Sequence, residues 1–291
     1  MPRTDRLGRA TFHYIAPRDD ARPTKREVRW LKHIERHGPL SSEHLFELTR
    51  GTHRCRDTAL RQLQKLRAGG FLRLPPQQRQ TADADFQPYT YDLDRRGREH
   101  LVDLGLAEPT MRPTGHWWHT HAVSRVTSVL EIIAARRGIR YIPAHEILAI
   151  RGSTLAVPIA GQRLIPDQLF ALDYGGSFRA FALEVDRGTE PKVSAAKRKS
   201  WQSAIALYEQ LLQSVRYKQH WGLKANLLVL WVFARGSDME RFLSLVRDRP
   251  FSSGAVLAAS MTNGIAYENA AAAVTEGWRS ATSDALQIIE P

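Results

Sequence analysis

The segment Leu164–Asp186 places the tightest limit on how this chain can fold. Gln168–Leu172 and Phe178–Asp186 are apolar runs, and Asp173-Tyr174-Gly175-Gly176 between them is turn chemistry, so the segment reads as a β-hairpin. Paired glycines favour a two-residue loop. With Gly175 and Gly176 as that loop, Tyr174 pairs with Ser177, and counting outward sets Asp167 opposite Glu184. Side chains alternate along a strand, so Asp167, Glu184 and Asp186 share one face while Phe181, Leu183 and Val185 take the other. A four-residue loop would set Asp167 opposite Ala182 instead, diagonal to Glu184 and still on the same face.

Three carboxylates at one sheet end repel each other and are costly to desolvate without a cation or proton among them. A hard divalent ion suits oxygen donors of this kind, so Asp167, Glu184 and Asp186 are candidate ligands for Mg²⁺ or Mn²⁺. The competing reading is plain: carboxylates are common at strand ends, and Asp186-Arg187-Gly188 also reads as a turn with a local ion pair.

Pro166-Asp167, a hairpin, then Glu184-Val185-Asp186 resembles the Pro-Asp … Glu-x-Lys signature of the PD-(D/E)xK nuclease superfamily, with Asp186 at the lysine position. The run Pro166-Asp167 … Glu184-Val185-Asp186-Arg187-Gly188-Thr189 resembles the plasmid replication-relaxation family, a likeness that covers the chain from about residue 24. The resemblance implies an α/β protein (α+β overall) with an N-terminal winged helix-turn-helix and a PD-(D/E)xK nuclease-like α/β domain. It implies work on plasmid or mobile-element DNA: replication, relaxation or mobilisation. It implies a catalytic set of Asp167, Glu184 and Asp186. Lys197, or its neighbours Lys192 and Lys199, would stand in for the lysine that polarises the attacking water.

The N-terminal third reads independently of that resemblance. Residues 1–23 are basic, carry three prolines and show no periodicity, as a flexible arm would. Thr24 caps a helix with Val28, Leu31 and Ile34 on one face and a stop at Gly38-Pro39. Ser41 or Ser42 starts a second, short helix that ends near Gly51. A third, from about Arg54 to Ala68, has Ala59, Leu60, Leu63 and Leu66 as its apolar stripe. Strands follow at 71–74 and 89–93, then a helix at 95–104. Three helices and a two-stranded hairpin make a winged helix-turn-helix, with the third helix sized for a major groove. Its other surface carries Arg54, Arg56, Thr58, Arg61, Gln62 and Lys65, side chains that read base edges and phosphates. Cys55 is read as a small packed residue. The sequence Leu93-Asp94-Arg95-Arg96-Gly97-Arg98-Glu99-His100-Leu101 resembles the exit from the wing in bacterial winged-helix regulators.

The expected division is an arm at 1–23, a winged helix at 24–106, a linker at 107–118 and a nuclease-like α/β domain at 119–291. His116, His119 and His121 lack a second ligand cluster and do not make a zinc set. In the last domain a helix at 120–137 carries Glu131. The helix after the hairpin has Trp201, Ala204, Ile205, Tyr208 and Leu212 as its core stripe. Leu227–Phe233 reads as a buried strand, with further strands at 255–259 and 286–289.

A formal charge of +12, divided about equally between residues 1–110 and the rest, favours a polyanionic partner, and double-stranded DNA fits it. One cysteine excludes an intrachain disulfide and suits a reducing cytoplasm. No apolar run is long enough to span a membrane, no secretion signal opens the chain, and no phosphate-cradling glycine loop points to a nucleotide cofactor. Three readings remain: a replication-relaxation DNA-binding protein, a Mg²⁺-dependent endonuclease, and a winged-helix repressor whose second domain forms a homodimer.

Overall fold

The computed structural model describes residues 12, 14–81, 84, 87–109, 111, 116–188, 200–249, 253–261, 266–275, 278–283 and 286–290. It is an α/β protein with mixed sheets. The chain forms two compact units, Met1–Thr110 with Thr114–Ser128 and Ile265–Tyr267, and Met111–Pro113 with Val129–Gly264 and Glu268–Pro291.

In the first unit, the Glu27 carboxylate accepts the Thr24 N–H at 2.7 Å and starts α1 (Lys25–His37), which ends at Gly38 with φ +113°. Then come β1 (Leu40–Ser41), α2 (Ser42–Leu48), α3 (Arg56–Ala68), β2 (Leu72–Arg73), β3 (Thr90–Leu93) and α4 (Arg95–Asp103). The strands form one antiparallel sheet in the order β1-β3-β2. Sequence periodicity misses β1, because two residues carry no period. Trp30, Leu31, Leu45, Leu63, Leu66, Phe71 and Tyr91 fill the core. The Trp30 Nε1–H donates to the Leu45 carbonyl at 2.6 Å, so the ring is buried without losing its polar handle. Gln78 pins the loop between β2 and β3, donating to the Thr90 carbonyl and accepting the Thr90 N–H, both at 2.8 Å. Part of the expected arm is packed: Ala21 is fully buried, and the Arg18 N–H reaches the Ala68 carbonyl at 2.9 Å. Helix α5 (Trp117–Arg136) begins in this unit.

The second unit continues with β4 (Arg140–Pro143), α6 (Ala144–Ala149), β5 (Val157–Ile159), β6 (Gln162–Leu164), β7 (Gln168–Asp173), β8 (Phe178–Asp186), α7 (Trp201–Gln213), α8 (Arg216–Trp221), β9 (Leu227–Phe233), α9 (Gly236–Arg247), β10 (Val256–Ser260) and α10 (Tyr267–Thr275). Its five-stranded sheet runs β10-β9-β8-β7-β4, parallel from β10 to β8 and antiparallel from β8 to β4. One face packs Leu169, Ala182, Val229, Trp231 and Phe233 together with Trp201, Ile205 and Tyr208 of α7 and Phe242 of α9. On the other, Tyr141, Phe170 and Phe181 stack across three strands at 5.2 and 5.0 Å. The strand expected at 286–289 is one bridge, Trp278 to Leu286.

Candidate functional site

Residue pairing in the hairpin decides where the carboxylates stand. Gln168 pairs with Leu183, and the Tyr174 N–H reaches the Ser177 carbonyl at 2.8 Å, so the loop is Gly175-Gly176 and Asp167 lies opposite Glu184. Both glycines sit at positive φ, +85° and +103°, which side chains disfavour. Asp167, Glu184 and Asp186 are buried, at 7%, 1% and 2% exposure. Each accepts protein hydrogen bonds. Asp167 Oδ2 takes the Val185 N–H at 2.8 Å, tying the residue before β7 to β8. Glu184 Oε1 accepts the Tyr208 hydroxyl at 2.6 Å. Asp186 Oδ1 accepts the Gly188 N–H at 2.7 Å and Oδ2 the Trp201 Nε1–H at 2.8 Å. Among the described residues, the oxygens of these three do not all fall within 4.8 Å of one another. Burial, then the nearby Glu184 charge, push the Tyr208 hydroxyl well above its ordinary pKa. Lys197, with Lys192 and Lys199, lies outside the described residues.

Sequence reasoning did not give Trp201 and Tyr208 a polar role. Both belong to the expected apolar stripe of α7, and their polar ends satisfy the carboxylates beneath them. The stripe closes on Leu211, not Leu212, which is only partly buried.

In the first unit, α3 buries Ala59, Leu63 and Leu66 and turns the opposite side outward. Arg54, Arg56 and Arg61 are exposed, and Thr58, Gln62 and Lys65 half-buried. At 100° per residue, Arg61 and Lys65 fall on the outward side, Arg56 and Gln62 on the flanks. Arg56 is tethered to Glu43 of α2 by an ion pair. Arg54, Arg61 and Lys65 have no ion pair among the described residues. Two exposed residues were missed, Asp57 and Gln64, although the same helical count places both outward. Cys55 is not packed: it is exposed and N-caps α3. A hydrogen bond with the Thr58 hydroxyl lowers its thiol pKa.

Residues 31–227 match the family model described as replication-relaxation. The chain belongs to the replication-relaxation family. The span that places it there takes in α3 with its outward side chains, the β7–β8 hairpin with all three carboxylates, and Tyr208. The replication-relaxation match thus covers parts of both compact units. A search of curated proteins and a search of solved structures each find no match. Among the described residues no helix is long and apolar enough to cross a membrane.

Proposed function

We propose that this replication-relaxation protein binds double-stranded DNA through the outward side of α3 and acts in plasmid or mobile-element replication, relaxation or mobilisation. The observation that carries the reading is exposed Arg61 and Gln64 and half-buried Lys65 on the outward side of α3, with exposed Arg54 just before its first turn, on a helix backed by its own core. The element order α1-β1-α2-α3-β2-β3 and the sheet order β1-β3-β2 suit a winged helix, in which the third helix enters the major groove. Arginine reads guanine edges bidentately and glutamine reads adenine, while lysine meets phosphate. Arg56, held by Glu43, positions the end of the helix. The test is binding of the full chain to duplex DNA, followed by fluorescence anisotropy. Arg54, Arg61 and Lys65 changed together to Ala should weaken binding at least tenfold. Unchanged affinity would sink this assignment.

A metal-dependent endonuclease is the second reading, and the observation favouring it is Asp167 opposite Glu184 on one buried face. Oxygen donors of that kind suit Mg²⁺ or Mn²⁺, and Asp167 and Glu184 would hold the ion. Asp186 fits less well, since each of its oxygens already accepts an N–H. In this reading Asp186 fixes the end of β8 to α7 and Tyr208 orients Glu184. The bound ion would supply an activated water and charge neutralisation at phosphate. Incubating supercoiled plasmid with and without Mg²⁺ tests it. Metal-dependent nicking that Asp167→Ala abolishes while DNA binding persists makes the chain a nuclease. No nicking leaves the carboxylates a structural staple.

A further inference from the structure

Arg125 lies on α5 within the first unit and is only 3% exposed. A buried guanidinium normally has a partner, because desolvating an uncompensated charge is expensive. Among the described residues, neither Nε nor Nη2 of Arg125 has a hydrogen-bond acceptor. Burial alone pulls its pKa down to about 10. The two empty donors form one edge of the planar group and point the same way. That edge takes both oxygens of a carboxylate or phosphate at once.

A second buried donor without a partner among the described residues lies in the same unit. His44 on α2 is fully buried, and Arg125 is the first of the charges acting on its ring, ahead of His121, His33 and His37. His44 Nδ1 lies 2.9 Å from Ser41 Oγ, and its Nε2 has no partner among the described residues. In the tautomer whose Nδ1 accepts from Ser41, Nε2 carries the hydrogen and donates.

We infer that Arg125 anchors an oxyanion site in the first unit, taking a small phosphate-type or carboxylate anion on its Nε–Nη2 edge. The site is separate from the proposed DNA face, whose arginines are exposed, and does not depend on that reading. Thermal unfolding of the full chain at pH 8 tests it, with inorganic phosphate, sulfate or acetate, each against sodium chloride at equal ionic strength. The wild-type midpoint should rise, saturably, by several degrees with at least one oxyanion at about 10 mM, as ligand linkage requires. Acetate alone acting assigns a carboxylate, and phosphate and sulfate acting assign a tetrahedral anion. Arg125→Met should show no rise beyond chloride, and Arg125→Lys, which keeps the charge and loses the edge, a smaller one. No rise with any of the three in wild type overturns the site. So does an equal rise in Arg125→Met, or in Arg125→Lys if the Met variant fails to fold. A rise that persists in Arg125→Met and disappears in Arg61→Ala places the anion on α3, and also overturns it.

Discussion

The Tyr208 hydroxyl and the Glu184 carboxylate share one hydrogen bond with both residues withdrawn from water. Tyr208→Phe keeps the ring and removes the donor, leaving a buried carboxylate with one hydrogen bond fewer. Urea unfolding should register a loss of about 1–3 kcal/mol. The folded state raises this tyrosine's pKa, so it binds the proton more tightly than the unfolded chain does. Stability from this source is present below the ordinary value of 10 and is lost as pH rises above it. The Phe variant should therefore lose stability less steeply between pH 9.5 and 11, and an unaltered alkaline limb would count against the account. His44 and His53 work in the opposite sense. Burial comes first in lowering both, His44 facing Arg125, His121, His33 and His37, and His53 facing Arg26 and Glu27. Their neutral forms belong to the folded state, so stability is present above the ordinary value of 6.5 and is lost as pH falls below it. His44→Gln should flatten the fall in urea midpoint between pH 7 and 5.5. A fall as steep as in wild type would assign that acid sensitivity elsewhere.

At the scale of elements, Gly97 shows why α4 must start as it does. A Cβ there would meet the Phe71 carbonyl oxygen at 2.3 Å and a Leu93 methyl at 3.2 Å, so the helix approaches the β2 strand's entry closely enough to exclude any side chain. Gly97→Ala should cost roughly 1–3 kcal/mol, since the atom in the way is backbone and cannot rotate aside. A thermal midpoint within a degree of wild type would show that α4 can shift. The glycine stands out in the sequence, and only the packed strand explains it. Other elements were legible to different depths. Two adjacent glycines set the β7–β8 loop, and with it the register that places Asp167 opposite Glu184. The apolar stripe of α3 gives its buried side, but polarity alone does not separate half-buried Gln62 from Gln64, which the helical angle exposes. Strand β1, the β5–β6 hairpin and the short β4 escaped because runs of two to four residues carry too little pattern to separate from loop. The partners of Asp186 could not be read at all: a tryptophan on an apolar stripe looks the same whether or not its N–H finds a carboxylate.

For the whole molecule, a charge of +12 by itself attracts any polyanion, and the proposed DNA face has to be separated from that general field. Changing Arg54, Arg61 and Lys65 to Ala removes three positive charges, from +12 to +9, and leaves the protein strongly basic. Changing Arg163, Lys224 and Arg247, all exposed and all in the second unit, removes the same three. If α3 touches phosphate directly, each lost contact releases about 0.9 fewer counterions, so the salt slope of the first variant should be shallower by roughly 2–3. The second variant keeps every α3 contact and alters only the charge carried by the other unit, a field that salt screens over about 10 Å at 0.1 M. Its slope should stay within about half a unit of wild type, with a small affinity change that fades as salt rises. The measurement is the duplex-DNA binding constant at four or five salt concentrations for the three proteins. Equal loss of slope in both variants would mean that DNA is held by overall charge, and α3 would then have no special claim to the interface. A loss confined to the first variant makes the contact local, and base preference at Arg61 and Gln64 becomes worth measuring site by site.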